Sequence, residues 1–377
     1  MTKARILADY VAGGTTATEF DFMDGVTSNV QTQLTALDTA KAPLASPTFT
    51  GTTTVSGDLV PSTPLSNRNM IINGAMAVAQ RGTSAVTTHS AFGVDRFSAK
   101  HQNDGAFTLQ QVSESPAGFA YSSKFTCTTA DASLGAGQYF NVNYSVEGQD
   151  LIRLALGSSD AKIFTLSFYV RSSLAGTFGG SLRNGDANRS YPFTYTISSV
   201  NTWERVSVTI QGDTTGTWVI TNAAGMYISF GLGVGATFNG TAGAWAGANL
   251  LSSSGTIQSP IGTLNSTWHI TGVQLELGSS ATPFEHRSYA DELARCQRYY
   301  YTINAGSAHY PYTAYWAGTG NNRGHADYPC QMRVAPSYAG TNVYGTVPTA
   351  EPQKDVCLFH STGYSSEMGL INFNAEL

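Results

Sequence analysis

At 377 residues the chain has room for two to three domains, and only 12% of its residues are charged, about half the share of an ordinary soluble domain. Twenty Lys and Arg against 25 Asp and Glu leave a formal net charge of −5, which argues against a basic groove or tail that neutralises nucleic-acid phosphates. Hydrophobic residues at 41% exclude wholesale disorder, so Thr, Ser, Asn and Gly must supply most of the polar surface, as suits an extracellular β-rich or virion protein.

The first element in chain order is a helix. Met23, Val26, Val30, Gln33, Leu37, Ala40 and Leu44 recur at spacings of three and four, the pattern of an a/d seam. Asp21, Asp24 and Thr27 offer N-caps, and Pro43 stops the run. Such a helix spans only ~30 Å and is marginal alone in water. A short parallel bundle of identical chains is therefore expected, with packing on a later domain as the alternative. Ala42 to Asp58 follows, with Pro43, Pro47 and a Thr-rich run that favours extended backbone. It buries Phe49 and Val55 only against a copy of itself or another region.

The phrase APLASPTFTGTTTVSG in that stretch resembles a short segment near the start of many phage tail fibres, where it follows a small coiled coil. The resemblance implies a parallel homotrimer, with Met23, Val26, Val30, Leu37, Phe49 and Val55 at its contacts. It also implies that this segment attaches the chain to other tail or baseplate proteins. Periodicity alone does not choose three chains over two.

From Asn67 to about Phe284 the alternation is that of antiparallel strands. Phe164, Leu166, Phe168 and Val170 share one face of one run, and Val206, Val208 and Ile210 one face of another. Trp218 and Ile220 follow, then Ile228, Phe230 and Leu232. In the last run, Ile270 to Leu277, Val273, Leu275 and Leu277 are expected to face in, and Gln274 and Glu276 out. Turns such as Arg183–Asp186 and Asn222–Gly225 separate the runs, without crossover helices. A mainly β protein with an antiparallel jelly-roll sandwich is the expected fold.

Three phrases in this region carry a second resemblance: RNMIINGAMAVAQRGTS (68–84), FGVDRF (92–97) and WHITGVQLELGSSATPFEHRSYADELARCQRYY (268–300). They are similar to a recurrent module of phage tail fibres. The opening and closing strands are also similar to those of jelly-roll carbohydrate-binding modules, in which first and last strands lie together. Within these phrases Arg96 is expected to pair with a carboxylate and clamp a loop, with contact to a ligand as the alternative. Arg287 is expected to satisfy strand-end carbonyls or a neighbouring chain's carboxylate, and Ser288 to Arg298 to form a connector helix. Three divisions result: an attachment segment over 1–66, the sandwich over 67–287, and the connector with a β-rich head over 288–377.

Eleven of the 19 tyrosines fall from Tyr289 onward, in a region poor in charge. Tyr310, Tyr312, Tyr315 and Trp316, with Asn321 and Asn322, are candidate ligand-binding residues, since a flat aromatic face stacks on a sugar while carboxamides take its hydroxyls. Packing between chains is the competing role for the aromatics.

No nucleotide loop, HExxH or nucleophile elbow is present, and the seven histidines are scattered. Glu276 with Glu285, or Asp186 with Glu204, remain open as paired acids for glycan cleavage, but no β-helix repeat is visible. No enzyme activity and no cofactor are expected. Carbohydrate-binding jelly rolls often hold a structural calcium; Asn73, Asp95 or Glu276 offer oxygens for one, though hydrogen-bonded turns are the expected fate of each. Cys127, Cys296, Cys330 and Cys357 form no CxxC pair and read as buried thiols, Cys330–Cys357 being the one pairing to consider. No run approaches the ~18 apolar residues of a spanning helix, and Met1 to Glu19 lacks the apolar centre of a secretory signal, so neither membrane insertion nor secretion is expected. The combined expectation is a virion tail fibre that meets a host-surface glycan or outer-membrane receptor. The alternatives are a structural head-fibre or baseplate component and a secreted carbohydrate-binding module.

Overall fold

Period-two alternation organises most of what folds. The computed structural model describes residues 66–256, 258–304, 313–316, 322–344, 349–361 and 367–377, together with Thr32. Met23, Val26, Val30, Leu37, Phe49 and Val55 lie outside the described residues. Met1–Pro61 and Ser62–Leu377 are separate units, and the second is described here.

In chain order its strands begin with β1 (Phe92–Val94), β2 (Phe97–Gln102), β3 (Ala106–Val112), β4 (Ser122–Thr129), β5 (Tyr139–Glu147), β6 (Phe164–Ser172) and β7 (Gly176–Asn184). They continue with β8 (Ser190–Ile197), β9 (Glu204–Ile210), β10 (Ala224–Val234), the two-residue β11 (Asn239–Gly240) and β12 (Ser252–Ser253), and β13 (Thr267–Leu277). One sheet has the order β1-β2-β5-β10-β7-β8 and the other β3-β4-β13-β6-β9, both antiparallel throughout. Their inner faces enclose one apolar core, giving a jelly-roll-like sandwich. Phe168 of β6 meets Phe230 of β10 edge-on at 5.1 Å, and Phe107 of β3 meets Phe140 of β5 at 4.5 Å. Trp268 Nε1 donates to the Tyr195 hydroxyl at 3.1 Å, so the largest buried ring leaves no donor unpaired.

Two expectations need correction. Trp218 and Ile220 are not strand residues: Trp218 packs edge-on against Trp245 at 5.4 Å, and Ile220 is 62% exposed. Gln274 and Glu276 point away from the core but are buried. The Glu276 carboxylate accepts from Thr282 N at 2.9 Å and from Thr282 Oγ1 at 2.6 Å, and Gln274 Oε1 accepts from Glu285 N at 2.8 Å. The segment after β13 thus folds back over its outer face. Gly272, at φ +62, allows the register shift between Thr271 and Gln274 that places Ile270 and Val273 both in the core.

The opening phrase lies beside this closing strand. Asn69 brackets β13, its Nδ2 donating to Val273 O at 3.1 Å and its Oδ1 accepting from Leu275 N at 3.1 Å. Past β13, Ser288 caps α1 (Tyr289–Gln297) through Asp291 N, and Cys296 and Leu293 pack with Ile72, Val78 and Tyr299. Seven further strands follow: β14 (Tyr300–Asn304), β15 (Thr313–Trp316), β16 (Asn322–Asp327), β17 (Ser337–Tyr344), β18 (Thr349–Pro352), β19 (Val356–Ser361) and β20 (Glu367–Asn374). They form a three-stranded sheet, β14-β20-β17, and a four-stranded one, β15-β16-β19-β18. Ile371, Phe373, Tyr328, Phe359 and Met332 centre their core. All four cysteines are free; Cys127, Cys296 and Cys357 are buried and Cys330 is half-buried.

An ionic seam joins these strands to the sandwich, and the quoted phrases converge on it. Arg96 stands in the tight turn between β1 and β2 at φ 74, a left-handed conformation that costs a non-glycine residue roughly 1–2 kcal/mol. Its guanidinium is buried. It pairs with Glu376, donates to Ser145 O at 2.6 Å and lies 3.5 Å over the Tyr299 ring. Glu376 also accepts from Arg81 at 3.3 Å, and Arg81 stacks 3.6 Å over Tyr300. Arg298 forks onto the buried Glu147 carboxylate with two bonds of 3.0 Å. Arg333 donates to the carbonyls of Ala375, Glu376 and Asn222. Arg287 donates to Ile71 O at 2.9 Å, to Asn69 O and to the Glu292 carboxylate.

Removing one partner of a buried ion pair strands the other charge. Glu376→Ala is expected to lower unfolding stability by about 3–5 kcal/mol in urea titrations. A loss below about 1 kcal/mol would show that the seam is merely decorative.

Acid should act through His269. Its ring is 2% exposed, and burial holds its pKa down at about 4 against an ordinary 6.5; nearby Glu114 opposes this and Lys124 and Arg171 add to it. A lowered pKa stabilises the fold above pH 6.5, and that stability is lost as pH falls through 4, a gap of about 3 kcal/mol. Asp95 runs the other way. Burial pushes its carboxyl up to about 6 despite Arg81 and Gln80, so its contribution is present below 3.8 and lost as pH rises through 6. His269→Gln is therefore compared with the parent chain, since Asp95 cancels between them. Between pH 7 and 4 the parent should lose about 3 kcal/mol more than the variant, read from paired denaturation curves.

Candidate functional site

Strand β5 sends Phe140, Val142, Tyr144 and Val146 into the core and Tyr139, Asn141, Asn143 and Ser145 to the other face. Register then sets the neighbours on that outer face. Asn141 stands between Lys100 of β2 and Gly231 of β10, and Asn143 between Ser98 and Ser229. Ser145 pairs with Tyr227, which pairs in turn with Arg183 of β7. The sheet surface is therefore small, flat and polar, and Ser229 Oγ donates to Asn143 Oδ1 at 2.8 Å.

The segment between β10 and β13 crosses over this face and makes one wall. It comes close because Gly179 has no side chain there: a Cβ on Gly179 would lie 2.0 Å from Thr256 Oγ1 and 2.3 Å from Ser252 Oγ. Ser190 Oγ holds the segment, accepting from Leu250 N at 2.9 Å and donating to Ala248 O. Phe238 stands edge-on to Tyr139 at 5.5 Å, and Arg183 Nη1 donates to Asn249 Oδ1 at 2.8 Å. Arg183 also lies 5.3 Å from the Tyr227 ring centre. His89 and Leu377 bound the other side, where Lys100 Nζ donates to Ser90 Oγ at 2.9 Å. The result is an open groove of about 510 Å³.

Its chemistry follows from its lining. Carboxamides both donate and accept, aromatic rings offer flat apolar faces, and Asn141 Oδ1 is buried without a partner among the described residues. No aspartate or glutamate lines the groove. It can hold a hydroxyl-rich ligand, but it lacks the facing carboxylates of glycoside hydrolysis.

Sequence reasoning placed the ligand elsewhere. Of its six residues, Tyr315 and Trp316 lie on β15 and Asn322 on β16; these strands pair antiparallel, with Trp316 opposite Asn322. Tyr310, Tyr312 and Asn321 lie outside the described residues. The groove residues were missed although a signal was present. Asn141 and Asn143 occupy alternate positions of a clean apolar alternation, and asparagine is depleted in strands unless its side chain has a task.

Of the acids considered for catalysis or calcium, Asp186 is exposed and the others have protein partners. Glu285 accepts from Asn69 N at 2.8 Å and Glu204 from Ser198 N at 2.8 Å, while Glu276 is taken up by Thr282. Asn73 binds Val78 through both its carboxamide atoms and donates to Asp95 O at 2.9 Å; Asp95 accepts from Gln80. Among the described residues no group of three or more His, Cys, Asp or Glu converges as metal ligands would.

No protein-family model matches the chain, and no curated protein sequence does. Solved structures overlap it in part. An enzymatically active domain of tailspike protein 4 from bacteriophage CBA120 is 13% identical, with 56% of this chain and 21% of that chain covered and a TM-score of 0.29. The carbohydrate-binding module TmCBM61, in complex with β-1,4-galactotriose, is 9% identical over 56% of this chain and all of its own, with a TM-score of 0.27. A family 11 carbohydrate-binding module of a Clostridium thermocellum cellulosomal cellulase is 13% identical over 54% of this chain and 99% of its own, with a TM-score of 0.26. The chain thus spans about a fifth of the tailspike chain. At these scores the fold and the site rest on the geometry above.

Proposed function

We propose that the chain is a subunit of a homotrimeric virion tail fibre that attaches, without catalysis, to a glycan on the host surface. The groove on the six-stranded sheet carries the binding half of this reading, because it joins a carboxamide floor to Tyr227 and Phe238 and has no Asp or Glu side chain in its lining. The virion half is supported by the tail-fibre phrases in residues 42–57, 68–84, 92–97 and 268–300. The N-terminal segment would join the fibre to other tail or baseplate proteins, and three grooves on one particle would act together to raise avidity. The paired strands β15 and β16 are a second contact in this reading, with Trp316 in register with Asn322.

Two double variants separate the sites. Tyr227→Ala with Phe238→Ala should reduce adsorption to host cells at least tenfold while the melting curve and oligomeric state stay near those of the parent. Tyr312→Ala with Trp316→Ala should have the smaller effect. Normal adsorption after the first change and loss after the second would move the site to the head. Normal adsorption after both would favour a purely structural fibre.

The trimer is tested separately. Light scattering at micromolar concentration should give three times the chain mass, and Val26→Asp with Val30→Asp should lower it. A monomer in the parent protein would remove the trimeric fibre, and a dimer would remove the number three.

A further inference from the structure

The groove has a sign as well as a shape. The protein is acidic overall and has only 20 Lys and Arg. Two of them, Lys100 on β2 and Arg183 on β7, line this groove, with three strand spacings of the sheet between their strands. Neither forms an ion pair among the described residues, whereas the arginines of the seam meet carboxylates or carbonyls. Arg183 donates to a neutral carboxamide, and Lys100 to a hydroxyl. Burial lowers the pKa of both, Glu376 partly opposing this at Lys100 and Tyr227 and Tyr139 at Arg183, so each cation is partly desolvated with no Asp or Glu side chain in the groove lining to pair with it. A half-buried, uncompensated guanidinium is costly, and a ligand anion removes that cost.

We propose that the groove selects acidic saccharides, chains bearing carboxylate, sulfate or phosphate groups, with Lys100 and Arg183 each facing an anionic substituent. This rests on the groove being the glycan site. Arg183 can fork onto a planar carboxylate or a tetrahedral oxyanion, and Lys100 meets a second charge as a point cation. The distance between the two strands suits charges on different residues of a chain better than one monosaccharide. Net repulsion from the rest of the acidic surface would discourage polyanions that do not fit.

Full-length protein is titrated calorimetrically with probe pairs that share a backbone and differ in charge: oligogalacturonate and its methyl ester, dextran sulfate and dextran, phosphomannan and mannan. At least one acidic member should bind about tenfold or more tightly than its neutral twin, and the preferred pair identifies the anion. That preference should weaken with added salt and disappear in Lys100→Gln with Arg183→Gln. Arg183→Lys should retain part of it, which separates lost charge from lost packing. Equal binding within every pair, no binding of any acidic probe, or a preference that survives the double change overturns the proposal. The outcomes also distinguish the two readings. If a neutral glycan binds and Tyr227→Ala abolishes that binding, the groove stands as a glycan site and only its acidic selectivity fails. If Tyr227→Ala leaves all glycan binding intact, the site itself is elsewhere.

Discussion

A buried guanidinium organises this protein. Arg96 sits in a tight turn in a backbone conformation that favours glycine, and it is removed from water at the junction of two β structures. Such a charge is tolerable only with nearly complete compensation, here from Glu376, the Ser145 carbonyl and the face of Tyr299. Each partner must in turn be held. Tyr299 is fixed by the last turn of α1, Ser145 by the centre of the six-stranded sheet, and Glu376 by Arg81 and by Arg333, which grips the backbone around it. The requirement to satisfy one side chain therefore propagates into the position of the C-terminal strands and the edge of the groove.

Much of the sandwich was legible because a strand with one wet face writes its fold as alternation. Phe164 to Val170 and Ile228 to Leu232 could be read directly, and both are core. The failures have physical causes. Gln274 and Glu276 looked solvent-facing because polarity marks the face away from the core, and it does not reveal that a later loop covers that face. Trp218 and Ile220 looked like a strand because two apolar residues two apart also occur where a loop lays one ring on the core and leaves its neighbour outside. Arg96 could be assigned a carboxylate partner from scarcity of charge, but nothing local points to Glu376. The groove was least legible. Its floor comes from strands paired across the chain, and one wall depends on the missing side chain of Gly179.

The phrases that resemble tail fibres also gain a physical meaning. They are not the groove: Asn69, Asn73, Arg81, Arg96, Arg287, Glu292 and Arg298 act in the seam and in the fastening of the opening segment to β13. The groove-lining residues lie outside these phrases, on β2, β5, β7 and β10 and on the crossover segment between β10 and β13, with His89 and Leu377 at its side. A scaffold of this kind can change what its groove carries without disturbing the contacts that hold its two β structures together.

The separation between Arg96 and Glu376 also sets an order of events during synthesis. They are 280 positions apart, so the guanidinium leaves the ribosome long before its counter-ion exists. At ~5–20 residues per second that interval is tens of seconds or less, during which Arg96 must stay hydrated and the turn that carries it stays open. The sandwich can collapse around its aromatic core in that time, but its edge beside β1 and β2 closes only when Glu376 arrives. A nascent chain interrupted before residue 376 would keep that edge open, so synthesis past Glu376 is a condition for burying Arg96.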